Sequence, residues 1–268
     1  MSGADAVVNC VGTFDKGGKN NFDAVQNDGA ARVARLAAES GVARMVQISA
    51  IGADPTGASL YAQSKAKGEA AVKAAFPNAV ILRPSVMFGS EDQFFNRFAS
   101  MSRFGPVLPL VGADTKFQPV WVDDVAQAAV AGITGKSAPG TYELGGPDVK
   151  SFRDLMQDML AVIHRRKLIL NVPLFFAKIG ASLLDFAQFV TGGFFHNSIL
   201  TRDQVKSLSV DNVVASGAKG FADIGISPTP IGAVIPDYLW RFRPSGQYDA
   251  IKDSAKRLIE NKLQALGL

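Results

Sequence analysis

Short apolar runs alternate with longer helical repeats along the first half of the chain. The apolar runs lie at 6–11, 43–49 and 79–82. Each is typical of a buried parallel strand, because helices cover both faces of such strands. Apolar residues at helical spacing predict one helix over 22–40, ended by Gly41, and another over 60–76, ended by Pro77. Three strands joined by two helices predict βαβ units, and therefore an α/β fold with a parallel sheet.

Beyond residue 90 the alternation becomes less regular. The pattern predicts helices over 92–103 and 124–133 and strands over 118–122 and 141–144. Ser151 and Asp154 form a Ser-x-x-Asp capping pattern that begins a further helix. We therefore predict a partial nucleotide-binding domain over 1–150 and a C-terminal interaction lobe over 151–268.

Residues 168–195 are markedly apolar. They include six phenylalanines, and their only charged residues are Lys178 and Asp185. No uncharged stretch reaches the roughly 20 residues that span a bilayer, so we predict no transmembrane helix. We predict an apolar helix over 172–190 that packs in the second lobe or, as the less favoured alternative, lies in a membrane interface. A charged amphipathic helix is expected over the tail, residues 249–266.

Composition narrows the class of protein. Hydrophobic residues make up 47% of the chain and charged residues 19%, which excludes a disordered protein and predicts a partly apolar surface. The net charge of +4 suits phosphates, anionic lipid or an acidic partner. The short basic cluster at 164–167 is too limited to predict nucleic-acid binding. Cys10 is the single cysteine, so disulfides within the chain are excluded, and we expect a buried thiol in a reducing compartment.

One tyrosine-lysine pair has the spacing of a catalytic motif. Tyr61 and Lys65 lie one helical turn apart, where a lysine ammonium would hold nicotinamide ribose hydroxyls. It would also lower the pKa of the tyrosine, which could then act as an acid or base. The same spacing occurs on ordinary solvated helix faces, so by itself it is a weak signal. His164 and His196 lack partners at metal-ligand spacing, and we predict no metal site.

Five short motifs follow one another along residues 9–126. They are NCVG at 9–12, NDGA at 27–30, the Tyr61 and Lys65 pair, RPSVMFG at 83–89 and VWVDDVA at 120–126. The chain therefore resembles the extended short-chain dehydrogenase/reductase family, which implies a Rossmann-type doubly wound parallel sheet and a bound dinucleotide. The cofactor-binding residues that this resemblance implies are Cys10, Val11, Gly12, Ser49, Ala50, Tyr61, Lys65, Pro84, Ser85 and Val86. Asp123 and Asp124 are interpreted instead as helix caps.

The chain departs from the family pattern at two points. No strand and glycine-rich turn precede residue 6, so we expect the Rossmann domain to be N-terminally incomplete, with about three further βα units upstream. Ile51 stands where active members carry a serine or threonine that hydrogen-bonds the substrate oxygen. An aliphatic side chain cannot form that bond, so we expect no independent catalysis, with Tyr61 and Lys65 vestigial.

Motifs of the second half narrow the resemblance. Segments 88–98, 200–205, 211–214 and 238–243 resemble the nucleotide-binding accessory subunits of respiratory complex I, in their bacterial form. This implies a subunit that holds NADPH, rather than NADH, without turnover. Its partners would be other complex I subunits near the junction of the peripheral and membrane arms, with membrane surface or lipid nearby and no nucleic acid. It would lie peripherally on the inner membrane, on the cytoplasmic face in a bacterium or the matrix face in a mitochondrion.

Two other functions remain open at this stage. A soluble NAD(P)-dependent epimerase or reductase would use Tyr61 and Lys65 for catalysis. A redox-sensing regulator would exchange partners according to the dinucleotide bound.

Overall fold

The structure is a computed structural model that describes residues 3–14, 17–177, 179, 202–244 and 246–248. The predicted tail helix over 249–266, His196 and most of the predicted apolar helix over 172–190 lie outside the described residues. Within the described residues, no helix is both long enough and apolar enough to cross a membrane.

Ten strands occur in the described part of the chain. In chain order they are β1 (Ala6–Asn9), β2 (Arg44–Ile48), β3 (Val80–Pro84), β4 (Met87–Phe88), β5 (Val107–Val111), β6 (Lys116–Phe117), β7 (Val120–Trp121), β8 (Gly140–Leu144), β9 (Lys150–Ser151) and β10 (Leu168–Val172). The α-helices that we number are α1 (Ala30–Glu39), α2 (Leu60–Ala75), α3 (Phe95–Met101), α4 (Val122–Thr134), α5 (Phe152–Val162), α6 (Arg202–Ser207) and α7 (Ile231–Leu239). A π-helical segment, Asp23–Gly29, precedes α1, and 3-10 turns lie at Phe221–Ile224, Trp240–Phe242 and Gly246–Tyr248.

The main sheet is parallel, as predicted. Its strands follow the order β1, β2, β3, β8, and every neighbouring pair is parallel. Both faces are covered: Met45 of β2 packs with α1 and α2, whereas the next residue, Val46, packs with α4 on the other side. Burial on both faces explains why these strands are apolar throughout rather than alternating.

The second hydrophobic cluster combines α3, α5 and α7 with strand β5. Its largest buried side chains are Phe88, Phe95, Phe152, Leu108, Leu110, Leu155, Met156 and Met159. A separate parallel ribbon joins β5 to β10. Both the cluster and the ribbon therefore combine residues from either side of position 150, where a domain boundary was predicted, and that boundary stays a prediction.

Two local expectations are wrong. Cys10 is exposed rather than buried, because β1 ends at Asn9 and the chain leaves the sheet there. Asp123 and Asp124 lie in the first turn of α4, but neither caps this helix; its N-cap is Trp121, with no side-chain hydrogen bond. Asp124 is buried and accepts hydrogen bonds from the backbone N–H and the hydroxyl of Thr229 instead.

Candidate functional site

The predicted site residues collect at one edge of the main sheet. Segments 10–12 and 49–50 follow β1 and β2, and segment 84–86 begins at the last residue of β3; the carboxyl ends of parallel strands share one edge. This edge is where open α/β sheets bind ligands. Helix α2 begins beside the strand ends, and its N-cap residue, Ser59, accepts a hydrogen bond from the N–H of Ala62.

Gly12, Tyr61 and Lys65 are brought together. The Lys65 ammonium lies 5.8 Å from the centroid of the Tyr61 ring. A Cβ atom added to Gly12 would lie 3.5 Å from the Nζ of Lys65. That separation is an ordinary van der Waals contact, so the lysine lies beside the Gly12 backbone without requiring glycine there.

Lys65 is a buried cation, with only 8% of its surface exposed. Burial lowers its pKa, and the negative charge of Glu69 partly opposes that shift. The Glu69 carboxylate, however, is already hydrogen-bonded to Arg83 and Ser49. Within the described part of the chain no acceptor is hydrogen-bonded to the Lys65 ammonium, so its donors fit a ligand such as ribose hydroxyls.

Tyr61 is surrounded by aromatic rings. Phe14 stacks on it at 5.2 Å with an interplanar angle of 14°, and Phe22 meets its edge at 6.1 Å. Burial raises the pKa of Tyr61 to about 12. The predicted lowering of this pKa by Lys65 is therefore wrong for this structure, because burial disfavours the charged phenolate and raises the pKa.

Ser49 belongs to a buried ion network under α2. Its hydroxyl donates to Glu69 at 2.5 Å, and Glu69 forms two 2.8 Å hydrogen bonds with Arg83. Arg83 also donates to Glu143 at 3.3 Å. These two carboxylates raise the pKa of Arg83 against the opposing effect of its burial. The network joins α2, β3 and β8, and it occupies the hydroxyl that was predicted to contact the cofactor.

Ala50 and Ile51 follow Ser49 at the end of β2. Ile51 is buried, and its N–H donates to the carbonyl of Pro84 at 3.0 Å. An aliphatic side chain therefore occupies the position that was predicted to be serine or threonine in active relatives, and it supplies no donor or acceptor.

The segment after β3 is held by Asn212. The Asn212 side-chain oxygen accepts hydrogen bonds from the hydroxyl of Ser85 at 2.6 Å and from the N–H of Val86 at 3.1 Å. Cys10 and Val11, at the end of β1, are exposed. The strand ends thus share an edge, and among the predicted residues the Lys65 ammonium lies near both Gly12 and the ring of Tyr61.

Asp203 is a site residue that sequence reasoning did not single out. It lies in α6, and its carboxylate accepts hydrogen bonds from the N–H groups of Leu60 at 2.8 Å and Tyr61 at 3.1 Å. Asp203 is buried, and it accepts hydrogen bonds from backbone N–H groups that have no partner within α2. This helix carries Tyr61 and Lys65. The only available signal was its place in the 200–205 motif.

The other C-terminal motifs contact one another. Tyr238 donates its hydroxyl proton to Asp92 at 2.6 Å, and burial together with that carboxylate raises the pKa of Tyr238. Arg241 donates to the carbonyl of Ser90 and to the side chain of Asn96. The motifs at 88–98 and 238–243 therefore contact each other across the predicted boundary at residue 150.

Comparison with known proteins agrees with this geometry. The family model described as RmlD substrate binding domain matches residues 5–173. NADH dehydrogenase (ubiquinone) 1 alpha subcomplex subunit 9, mitochondrial, of Arabidopsis thaliana is 34% identical over 251 residues, covering 92% of this chain and 62% of the relative. The chain belongs to this subunit family, within the extended short-chain dehydrogenase/reductase superfamily.

Further similarities cover most of the chain. The NADH-ubiquinone oxidoreductase 40 kDa subunit, mitochondrial, of Neurospora crassa is 31% identical over 261 residues, covering 97% of this chain and 67% of the relative. The chain thus spans 62% to 67% of the length of these two relatives. The Bordetella bronchiseptica enzyme WbmH, solved in complex with NAD+, shares the fold at a TM-score of 0.62 and 17% identity, covering 90% of this chain and 76% of that one.

Proposed function

We propose that this chain is an accessory subunit of a membrane-bound NADH:ubiquinone oxidoreductase, and that it holds a dinucleotide without turning over a substrate. The two mitochondrial relatives bear the names of subunits of that enzyme. We propose NADPH rather than NADH, following the resemblance in the sequence.

The Lys65 ammonium carries the cofactor part of this proposal. Most of this side chain is buried, and Glu69, the carboxylate whose charge acts on it, is engaged by Arg83 and Ser49, so the ammonium is left with donors for a ligand. Ribose hydroxyls would supply acceptors for these donors. When bound, a nicotinamide dinucleotide supplies hydride chemistry; Lys65 would bind and orient it.

Three features support the absence of turnover. The pKa of Tyr61, about 12, keeps its phenol protonated and makes it a poor base near neutral pH. Phe14 covers a face of its ring. Ile51 offers no hydrogen bond to a reacting oxygen, so the electrostatic stabilisation that serine or threonine would provide is lacking.

The link between the site and the second half of the chain supports a structural role. Asp203 holds the first turn of α2, and Asn212 holds the segment after β3. Ordering of the site by a bound dinucleotide would therefore also order these C-terminal segments. We propose that the cofactor stabilises a subunit whose partners are other subunits near the junction of the two arms, peripheral to the inner membrane, on its cytoplasmic face in a bacterium or its matrix face in a mitochondrion.

Purification of the detergent-solubilised oxidoreductase from the source organism tests this proposal. We expect this chain to co-purify with NADH:quinone activity at a constant ratio through two orthogonal columns. Complete separation of the chain from that activity would refute the assignment.

A soluble epimerase or reductase is the second candidate, favoured by the one-turn spacing of Tyr61 and Lys65. It predicts substrate-dependent oxidation or reduction of a nicotinamide cofactor by the isolated protein, abolished in Tyr61→Phe. Such turnover would displace the first proposal, whereas its absence over a panel of nucleotide sugars and ketones would disfavour the second.

A further inference from the structure

The β5–β10 ribbon has an apolar outward face. On β5, Leu108 and Leu110 point into the phenylalanine-rich cluster, so Val107 and Pro109 point away from it. In the parallel register Leu168 lies opposite Val107 and Leu170 opposite Pro109. Leu168 is 67% exposed and Leu170 is 52% exposed, which is unusual for two leucines side by side on a soluble protein. The ribbon thus carries a continuous exposed apolar surface.

Four cations border this surface. A groove of about 440 Å³ runs between α5 and the start of β10. The polar side chains that line it include Arg153, Gln157, Arg165, Arg166 and Lys167, and Leu168 joins it to the outward face of the ribbon. Within the described part of the chain, no carboxylate lines this groove.

The nearby carboxylates are engaged elsewhere. Asp154 accepts a hydrogen bond from the hydroxyl of Ser151, and Asp158 accepts one from Lys150. Two of the cations are positioned by the backbone, because Arg165 donates to the carbonyl of Phe242 and Lys167 to that of Gly105. The groove therefore holds a fixed positive charge that the surrounding acids do not neutralise.

We propose that this surface binds an anionic phospholipid membrane, with headgroup phosphates in the cationic groove and the leucine face against the acyl boundary. The guanidinium group of arginine can form two parallel hydrogen bonds with phosphate oxygens. Four cations with no carboxylate among them match the negative charge of an anionic bilayer better than a protein surface of mixed charge. Phe175 and Phe176, a few residues after β10, are exposed as well. This inference rests on the proposed peripheral location at the inner membrane and names the face that would meet the bilayer.

Vesicle sedimentation tests this proposal on the full chain. The protein is mixed with vesicles of phosphatidylcholine alone, or of equal parts phosphatidylcholine and phosphatidylglycerol. We expect binding to the mixed vesicles that weakens as salt rises from about 0.05 M to about 0.5 M, since salt screens the groove's charge. Equal binding to both vesicle types would overturn the proposal.

Two pairs of substitutions separate the charge and apolar contributions. Arg153→Gln with Arg166→Gln should weaken binding by more than about tenfold, because each cation near an anionic surface is worth roughly fivefold. The matched control, Arg32→Gln with Arg35→Gln, removes two exposed cations from α1 and should leave binding within about twofold. Leu168→Ser with Leu170→Ser should also weaken binding to the mixed vesicles.

Other occupants of the surface give different results. If free inorganic phosphate binds the groove while the mixed vesicles do not, the site is one for a small anion and the lipid proposal is wrong. If the leucine substitutions only abolish a concentration-dependent dimer, the surface joins two copies of this chain, and the proposal is equally wrong. Failure of vesicle binding would leave co-purification with the oxidoreductase unaffected, so the two proposals fail separately.

Discussion

Replacing Asp203 with alanine removes both hydrogen bonds that hold the start of α2 to α6. The carboxylate receives the N–H groups of Leu60 and Tyr61 at 2.8 Å and 3.1 Å, and it is buried. A hydrogen bond to a charged group contributes about 1.5–3 kcal/mol to stability, and a buried donor left without its acceptor costs about 1–3 kcal/mol. Loss of an exposed helix cap costs only about 1 kcal/mol.

The cost of losing the hydrogen bonds at the start of α2 lies near the upper of these values. Leu60 is half exposed, so water can reach part of the freed backbone, whereas Tyr61 is surrounded by aromatic rings. We therefore expect Asp203→Ala to lower the free energy of unfolding by about 2–3 kcal/mol. Asp203→Asn keeps one acceptor oxygen but loses the charge that favours a helix N-terminus, and should cost about half as much.

Urea unfolding measures this loss. The matched control is Asp237→Ala, which removes an exposed carboxylate from α7 and should change the free energy of unfolding by less than about 0.5 kcal/mol. If Asp203→Ala is no more destabilising than Asp237→Ala, the inferred link between α6 and the site is wrong.

Three further predictions concern α2 and its surroundings. Glu69→Ala should cost about 2–3 kcal/mol because it leaves the partly buried Arg83 with Glu143 alone as its partner, whereas Glu39→Ala, from an exposed pair at 3.8 Å, should cost less than about 0.5 kcal/mol in the same urea assay; equal costs would contradict the network. Gly68→Ala should destabilise the folded protein by about 3 kcal/mol, because the added Cβ would overlap a carbonyl oxygen of the π-helical segment. The control, Gly232→Ala, has open space and should be neutral or stabilising by up to about 1 kcal/mol. Thermal unfolding measures both, and a neutral Gly68→Ala would be inconsistent with this packing. Ultraviolet titration of the wild type against Tyr61→Phe should show no phenolate from this residue at pH 10, because its pKa lies near 12 and the phenol stays protonated up to that range; a difference that appears near pH 8 would show that burial does not dominate.

The main strands could be predicted because they are buried on both faces. The apolar runs at 6–11, 43–49 and 79–82 differ from β1, β2 and β3 by at most two residues at either end. Strands of two residues, such as β4 and β6, are too short to show a repeating pattern of apolar and polar residues. Strand β10 was missed because its apolar composition suits a buried helix equally well.

The candidate site was predictable only in part. The motifs brought Gly12, Tyr61 and Lys65 together, because the spacing along a helix and the end of a strand are local properties. The cap supplied by Asp203 acts across 143 residues, which no local pattern can reveal. The direction of the Tyr61 pKa shift depends on burial by Phe14 and Phe22, and burial of a side chain by distant segments is set by the tertiary fold.

The nucleotide content of the purified oxidoreductase tests the central claim most directly. The complex is prepared from cells with the natural chain or with Lys65→Met, denatured, and analysed for released dinucleotide after full turnover with NADH and quinone. We predict that the complex with the natural chain releases NADPH in an amount equal to that of this chain, unconsumed by turnover, and that Lys65→Met loses it while NADH oxidation continues. Equal release from both preparations, or consumption of the dinucleotide during turnover, would contradict the account.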